Sequence, residues 1–157
     1  MPIHPFPPVW DSHSRVLVLG SFPSVRSRET GFYYGHPQNR FWPLLSRLFE
    51  EPLPLTIPQR RELALRHGIA LWDVIESCEI TGSSDASIRN AAANDVAGLL
   101  RKTNISRIVC NGRRAHELYQ RHCQKATGME ALCLPSTSAA NAAWNLDRLW
   151  EAWQALL

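Results

Sequence analysis

The chain has 157 residues, of which 45% are hydrophobic and 20% charged, and its formal net charge is +3. This length and composition are typical of one globular domain and argue against disorder. No apolar run approaches the ~18 residues that span a membrane, and residues 1–5 lack the features of a signal peptide. We therefore expect a single domain over residues 1–157 in the cytoplasm. Its mild positive charge permits a nucleic-acid partner without indicating one.

Four short apolar runs predict strands, and helical patterns separate them. The strands are expected at residues 15–19, 69–74, 107–112 (with a tight turn at the end) and 131–134. The helices are expected at residues 39–49, 58–67, 94–100, 113–122 and 141–155, with an extended lead-in at residues 1–14 and a loop at residues 79–90. Apolar strands that alternate with helices indicate an α/β protein whose parallel sheet is covered on both faces.

Each predicted strand ends in glycine or a polar residue. Gly20, Asp73, Asn111 and Ser136 occupy these ends. Because the carboxyl ends of parallel strands meet at one edge of a sheet, we expect the four residues to lie together. Ligands of open α/β sheets bind at that edge, so it is the predicted functional site.

The first strand leads into a run, residues 20–42, that is rich in turn-formers and aromatic rings. Aromatic rings can stack on flat bases. Phe41 and Trp42, however, have the spacing of a helix face and are predicted to pack in the core. His36 and Asn39 are harder to explain as packing residues. Asn39 has a second interpretation, as the cap of the following helix.

Several patterns of common active sites are absent. The sequence has no G-x-S-x-G nucleophile elbow, phosphate-binding loop or dinucleotide-binding glycine motif. The four cysteines, none in a C-x-x-C pair, are Cys78, Cys110, Cys123 and Cys133. Metal and iron–sulfur sites usually show close pairs. We therefore expect no metal and interpret the cysteines as buried free thiols.

Three motifs, taken in order, resemble a known family. They are GSFPS at residues 20–24, GFYYGHPQNRFW at residues 31–42 and LPSTSAAN at residues 134–141. Together they resemble the uracil-DNA glycosylase superfamily and, more narrowly, its hypoxanthine-DNA (deoxyinosine) glycosylase family. The HPQNRFW core is also similar to the mismatch-specific uracil/thymine glycosylases. The resemblance covers about residues 16–141.

This resemblance implies a three-layer α/β/α sandwich with a four-stranded parallel sheet, as in uracil-DNA glycosylases. It implies a monofunctional glycosylase without a cofactor, which flips a deaminated base out of DNA and hydrolyses its N-glycosidic bond to leave an abasic site. The partner would be DNA that carries the deaminated base. We expect a monomer that is associated with the nucleoid if the source is bacterial.

The resemblance also assigns site residues. Asn39 matches the catalytic asparagine that orients the attacking water, and Tyr34 matches the ring that stacks on the base. Asp73 stands where many relatives have an Asn that reads the base edge; it would accept an N–H when ionised or donate to a carbonyl when protonated, although a cap at the strand end is an alternative role. The predicted base-binding residues are Gly20, Ser21, Phe22, Pro23, Ser24, Tyr34, His36 and Asp73. The predicted DNA-binding residues are Ser136, Thr137, Ser138 and Asn141.

Two positions depart from the pattern of the uracil enzymes. Phe22 stands where the better-known enzymes have an Asp or Asn that handles water, and Leu134 stands where the most active ones have a His that helps the leaving base. Both changes favour hypoxanthine over uracil as the substrate. A mismatch-specific uracil/thymine glycosylase and a non-catalytic nucleic-acid-binding module are the alternatives.

Overall fold

A computed structural model describes residues 3–4, 6–80 and 88–157 of the chain. The strands within these residues are β1 (Val16–Gly20), β2 (Ile69–Asp73), β3 (Ile75–Glu79), β4 (Arg89–Ala93), β5 (Arg107–Asn111) and β6 (Leu132–Leu134). Four of them form one parallel sheet in the order β2-β1-β5-β6. All of β1 and most of β2 are buried, as expected for strands between two covering layers. The predicted four-stranded parallel sheet is confirmed.

Helices cover both faces of this sheet. They are α1 (Val25–Thr30), α2 (Phe41–Leu48), α3 (Ile57–Arg66), α4 (Val96–Arg101), α5 (Arg113–His122), α6 (Gln124–Thr127) and α7 (Leu146–Trp153), and a 3-10 turn at Gln154–Leu156 follows. Val16 and Val18 of β1 join a core with residues of α2, α3 and α7. Leu17 and Leu19, which point the other way, join a second core with α4 and α5. The fold is therefore a three-layer α/β/α sandwich.

The sequence patterns do not predict the second, two-stranded sheet. Strands β3 and β4 pair antiparallel. The predicted loop at residues 79–90 is therefore wrong at both ends, and residues 81–87 lie outside the described residues. The sequence of β4 is RNAAA, whose residues have low β propensity. Pairing with β3, rather than composition, makes this segment a strand.

Two helices differ from their predictions. Residues 141–155 are predicted to be helical, whereas α7 begins only at Leu146. The reason is Asn145, whose Oδ1 accepts a hydrogen bond from the backbone N–H of Arg148 at 2.9 Å and caps the helix. Helix α1 is not predicted at all, although Ser24 caps it in the same way. No helix in the described part of the chain is long and apolar enough to cross a membrane.

Residues 3–4 and 6–11 of the lead-in lie beside strands β2 and β3, as predicted for an extended segment, and residues 12–13 form a turn. Val9 pairs with Leu71 in an isolated antiparallel bridge, and Ile3 pairs with Ser77. The backbone N–H of Val9 donates to the carbonyl of Leu71 at 2.9 Å. These bridges carry His4 to the carboxyl end of β2, where the predicted site lies.

The cysteines are free, and three of them are buried as predicted. Burial raises the pKa of the Cys110 thiol to about 12, which keeps it protonated and unreactive. Cys133 is exposed, so the prediction of burial is wrong there. The reason is that β6 is an edge strand of the sheet, with only β5 beside it.

Candidate active site

A cavity of about 110 Å³ lies at the carboxyl edge of the main sheet. Gly20, Asp73, Asn111 and Ser136 all line it, so the predicted cluster of strand ends is confirmed. The other lining residues are Ser21, Phe22, Pro23, Ser24, Ser27, Tyr33, Tyr34, Asn39, Thr137 and Ser138. The volume is below the ~300–1,000 Å³ of pockets for drug-sized ligands, so the cavity suits a small flat group such as one base.

Two predicted site residues lie outside this cavity. His36 is exposed, and its Nδ1 accepts a hydrogen bond from the backbone N–H of Gln38 at 3.0 Å. Asn141 donates from Nδ2 to the carbonyl of Ser136 at 3.0 Å and thereby holds the loop after β6. Contacts of His36 with the base and of Asn141 with DNA stay predictions, and both side chains serve local structure in this geometry.

The Asn39 side chain is held by its oxygen. Oδ1 accepts hydrogen bonds from the backbone N–H of Phe41 at 2.9 Å and from the hydroxyl of Thr137 at 2.8 Å. The first contact gives the N–H of Phe41, the first residue of α2, a partner, but the N-cap of α2 is Arg40, which makes no side-chain cap bond, so the alternative interpretation of Asn39 as the helix cap is wrong. With both acceptor positions of Oδ1 occupied, the side chain has only its two Nδ2 hydrogens to offer a ligand.

Backbone groups fix the direction of every hydrogen bond in this network. The N–H of Thr137 donates to Oδ1 of Asn111 at 3.0 Å, so Nδ2 of Asn111 must be the group that donates to the Thr137 hydroxyl at 3.0 Å. The hydroxyl proton of Thr137 is then directed to Asn39. The backbone N–H of Phe41 likewise shows that the Asn39 atom it contacts is the acceptor, Oδ1. The amide orientations therefore follow from groups whose donor role is certain.

Arg40 ties the loop after β6 to the start of α2. Its Nε and backbone N–H donate to the carbonyl of Thr137 at 3.2 and 3.0 Å. Its guanidinium also donates to the carbonyls of Ser138, at 2.6 Å, and Trp144. Sequence reasoning missed this role, although Arg40 lies inside the HPQNRFW motif. In the same loop the Thr137 side chain is fully buried and bonded to Asn39, and its contact with DNA stays a prediction.

Asp73 forms a buried pair with His4 that sequence reasoning also missed. Nε2 of His4 lies 2.8 Å from Oδ2 of Asp73, and the two side chains are 3% and 5% exposed. The carbonyl of Asp73 accepts a hydrogen bond from Asn94 at 2.9 Å. The only signal in the sequence was a histidine in a proline-rich lead-in, which has no periodicity or motif to mark it.

Aromatic rings form the walls of the cavity. Tyr34 stacks on Phe41 with ring centroids 4.1 Å apart, and its φ of 54° lies in the left-handed region. Such strain in a residue other than glycine is typical of functional sites. The hydroxyl of Tyr33 donates to the carbonyl of Pro7 at 3.0 Å. Burial, together with the charge of Asp73, raises the pKa of Tyr33, so this phenol stays neutral.

A larger groove, of about 1130 Å³, lies at the opposite edge of the sheet. It is lined by Val16, Ile69 and Arg107, which are the first residues of their strands. The smaller cavity is the better candidate because α/β sheets bind ligands at their carboxyl edge. Wherever the structure describes the chain, no group of three His, Cys, Asp or Glu side chains is placed to hold a metal ion.

Comparisons with known proteins agree with this geometry. The model of the uracil DNA glycosylase superfamily matches residues 7–157. A protein from Methanosarcina acetivorans named hypoxanthine DNA glycosylase is 36% identical over 151 residues, which are 94% of each chain. Its namesake from Methanosarcina barkeri is 35% identical over 87% of this chain and 86% of its own.

A solved structure is similar as well. The solution NMR structure of a candidate uracil DNA glycosylase from Methanosarcina acetivorans superposes with a TM-score of 0.82 at 34% identity. The match covers 96% of this chain and 93% of that one. The family match spans nearly the whole chain, and the fold and the sequence relatives agree with it. The chain therefore belongs to the uracil DNA glycosylase superfamily.

Proposed function

We propose that this chain is a DNA glycosylase that removes hypoxanthine from DNA and leaves an abasic site. The observation that supports the proposal is one small cavity that holds both an oriented amide, Asn39, and a buried carboxyl group, Asp73. The Methanosarcina relatives carry the name of this activity. The enzyme would act as a monomer, inside the cell, where its DNA substrate is.

A base can reach this cavity only after it has left the DNA stack. Flipping a base costs a few kcal/mol, and less when the base is mispaired, as inosine is opposite thymine. Tyr34 and Phe22 offer rings on which a flat base can stack. Ser136 and Ser138, which are half-buried at the mouth, are then the residues of the loop placed to contact phosphate.

The chemistry follows from the groups that the cavity offers. Cleavage of the glycosidic bond leaves positive charge on the sugar and negative charge on the departing base, and fixed dipoles can stabilise both. Asn39 is not a base, and its oxygen is already engaged. An Nδ2 hydrogen of Asn39 can donate a hydrogen bond to one lone pair of a water oxygen. The other lone pair of that oxygen is then free to attack the sugar. That suffices when bond breaking runs ahead of water attack, because the proton that the water loses then neutralises the departing base anion and no strong base is needed.

Uracil is the second candidate substrate. Its ring N3–H is a donor like the N1–H of hypoxanthine, so an acceptor on Asp73 would bind either base. Phe22 argues against uracil, because a phenyl ring cannot hold water where the uracil enzymes have a polar residue. The mismatch-specific uracil/thymine activity is therefore the alternative that the experiment must separate.

The test is excision from oligonucleotides that carry a single hypoxanthine, xanthine, uracil or mismatched thymine. Purified protein is incubated with each duplex, and abasic sites are cut with alkali and counted. We expect cleavage at hypoxanthine to be the fastest. Cleavage confined to uracil or thymine would move the chain to the alternative activity, and specific binding without any cleavage would make it a non-catalytic module.

A prediction on Thr137 tests the orientation of Asn39. Thr137→Val removes the hydroxyl that bonds Asn39 while keeping the shape of the side chain. We expect the single-turnover rate to fall by about 10-fold, the equivalent of one hydrogen bond of ~1.4 kcal/mol. Thr137→Ser keeps the hydroxyl and is the matched control, with a near wild-type rate. Equal rates for the valine variant and the wild type would remove Thr137 from the mechanism.

A further inference from the structure

The buried pair of His4 and Asp73 is more than a structural contact. His4 comes from the lead-in, 69 residues away from Asp73 in the chain, and both side chains are almost fully buried. Asp73 lines the cavity, and His4 lies behind it as its partner. The backbone N–H of His4 donates to the carbonyl of Glu76 at 2.5 Å, which fixes the residue beside β3. Rings of Phe6 and Tyr33 pack around the imidazole, with centroids 4.7 and 5.8 Å away.

The position of the proton in this pair follows from its neighbours. Nδ1 of His4 lies 2.7 Å from the carbonyl of Phe6, and because a carbonyl only accepts, Nδ1 must carry a hydrogen. The contact between Nε2 and Oδ2 of Asp73 then needs one further proton between those two atoms. The proton belongs either to an imidazolium or to a carboxylic acid. In both cases it sits on the Oδ2 side, and Oδ1 carries none.

Oδ1 is the oxygen left for the base. It lies so close to Gly20 that a Cβ built there would stand 2.3 Å from it, and both residues line the cavity. An oxygen without a proton can only accept. The alternative in which a protonated Asp73 donates to a base carbonyl therefore does not fit this geometry.

We propose that His4 is a positioning residue that keeps Oδ1 of Asp73 a pure acceptor and so selects bases that carry a ring N–H. The inference rests on the proposed glycosylase activity. Hypoxanthine donates from N1, whereas adenine, the base from which it is formed, has a bare lone pair at N1. An acceptor facing that lone pair repels it, and a site built for a hydrogen bond discriminates strongly against a partner that cannot make it. His4 thereby helps to spare undamaged adenine.

The other charged or titratable groups near the pair do not replace His4. Tyr33 and Tyr34 are the neighbouring phenols, and Tyr33 is kept neutral by burial. The charge of Arg61 lowers the pKa of Tyr33, but it is the smallest of the influences on that group. Without His4, the carboxyl group of Asp73 would be buried without the partner of its Oδ2, a state that favours protonation or rotation of the group. Either change would place a hydrogen where the acceptor should be.

The test compares two conservative variants. His4→Gln places an amide N–H near the position of Nε2 and can keep the bond to Asp73, whereas His4→Asn places it near Nδ1 and keeps only the bond to Phe6. The measured quantity is the ratio of single-turnover excision of hypoxanthine to that of unsubstituted purine, whose N1 is an acceptor. A general weakening of the fold would lower both rates together and leave the ratio unchanged.

We expect His4→Asn to lower this ratio by about 10-fold or more, in line with the loss of a hydrogen bond to a charged group, and His4→Gln to keep it within about threefold. An unchanged ratio in His4→Asn, or equal loss in both variants, would overturn the inference. Failure of the wild type to excise hypoxanthine would instead refute the proposed function, so the two failures are distinguishable.

A third variant serves if His4→Asn does not fold at the assay temperature. In Asp73→Asn, neutral His4 would accept a hydrogen bond from the new amide through Nε2, because its Nδ1 hydrogen is committed to Phe6. The amide oxygen would then face the cavity as an acceptor. We expect this variant to keep its preference for hypoxanthine over purine, and loss of the preference would count against the role of His4.

Discussion

Replacing Asn39 by alanine is expected to lower the single-turnover rate of hypoxanthine excision by ~10²–10³, about 2.7–4 kcal/mol of transition-state stabilisation. The structure adds a second effect. Because Oδ1 of Asn39 accepts from Phe41 and Thr137, the alanine variant also leaves the N–H and the hydroxyl of those residues without this partner. We therefore expect a loss of stability of ~1 kcal/mol from the two lost hydrogen bonds. The measurements are the thermal midpoint and excision with enzyme in excess.

Asn39→Asp separates the two effects. A carboxylate can accept the same two hydrogen bonds, so the bonds from the N–H of Phe41 and the hydroxyl of Thr137 are retained. It has no hydrogens to donate, so the contact that holds the water is lost. We expect a thermal midpoint close to that of the wild type together with a rate nearly as low as that of the alanine variant.

The outcomes distinguish the roles of Asn39 cleanly. An aspartate variant that excises hypoxanthine at the wild-type rate would show that the amide hydrogens are not needed. An alanine variant that is destabilised but still active would leave Asn39 with only a structural role, as the partner of Phe41 and Thr137. Asp73 would then be the next residue to test, since it shares the cavity.

The sheet and the position of the site could be predicted from sequence because they depend on local patterns. Apolar runs such as residues 16–19 are buried in the structure, and the polar residue after each run marks the edge where strands end together. Phe41 and Trp42 are core residues, as their spacing predicts, and both are nearly inaccessible to solvent. The apolar composition of these segments is therefore enough to predict that they are buried.

The hydrogen bonds that orient the side chains of Asn39 and Asp73 join residues far apart in the sequence, and no local pattern predicts them. The bond from Thr137 to Asn39 joins residues 98 apart, and that from His4 to Asp73 joins residues 69 apart. Each depends on a loop or lead-in whose path is set by backbone pairing elsewhere. The resemblance to known glycosylases pointed to the motifs that contain Asn39 and Thr137, but it did not indicate the hydrogen bond between them.

Gly20→Ala is expected to have the second large effect on catalysis. The added Cβ would stand 2.3 Å from Oδ1 of Asp73, far inside van der Waals contact, and 3.4 Å from the hydroxyl of Tyr34. The carboxyl group must therefore move, and with it the acceptor for the base and the bond to His4. Displacement of a positioned group by about 1 Å can lower a rate by ~10², and we expect a loss of that size in hypoxanthine excision. Overpacking at this buried position should also cost ~1–3 kcal/mol of stability.

Gly128→Ala is the matched control, because it should destabilise the protein without touching the site. Gly128 has a φ of 68°, which an alanine adopts only with strain. Apart from Gly128 and its two chain neighbours, no described residue has an atom within 4 Å of the point that the alanine Cβ would occupy, and Gly128 does not line the cavity. We expect a stability loss of ~1–2 kcal/mol with an unchanged excision rate. If Gly20→Ala loses rate while Gly128→Ala, at a similar stability, does not, the loss at Gly20 is due to the clash with Asp73 rather than to lower stability. Full activity of Gly20→Ala would instead mean that the carboxyl group of Asp73 can move without consequence, and that the base is read by other groups of the cavity.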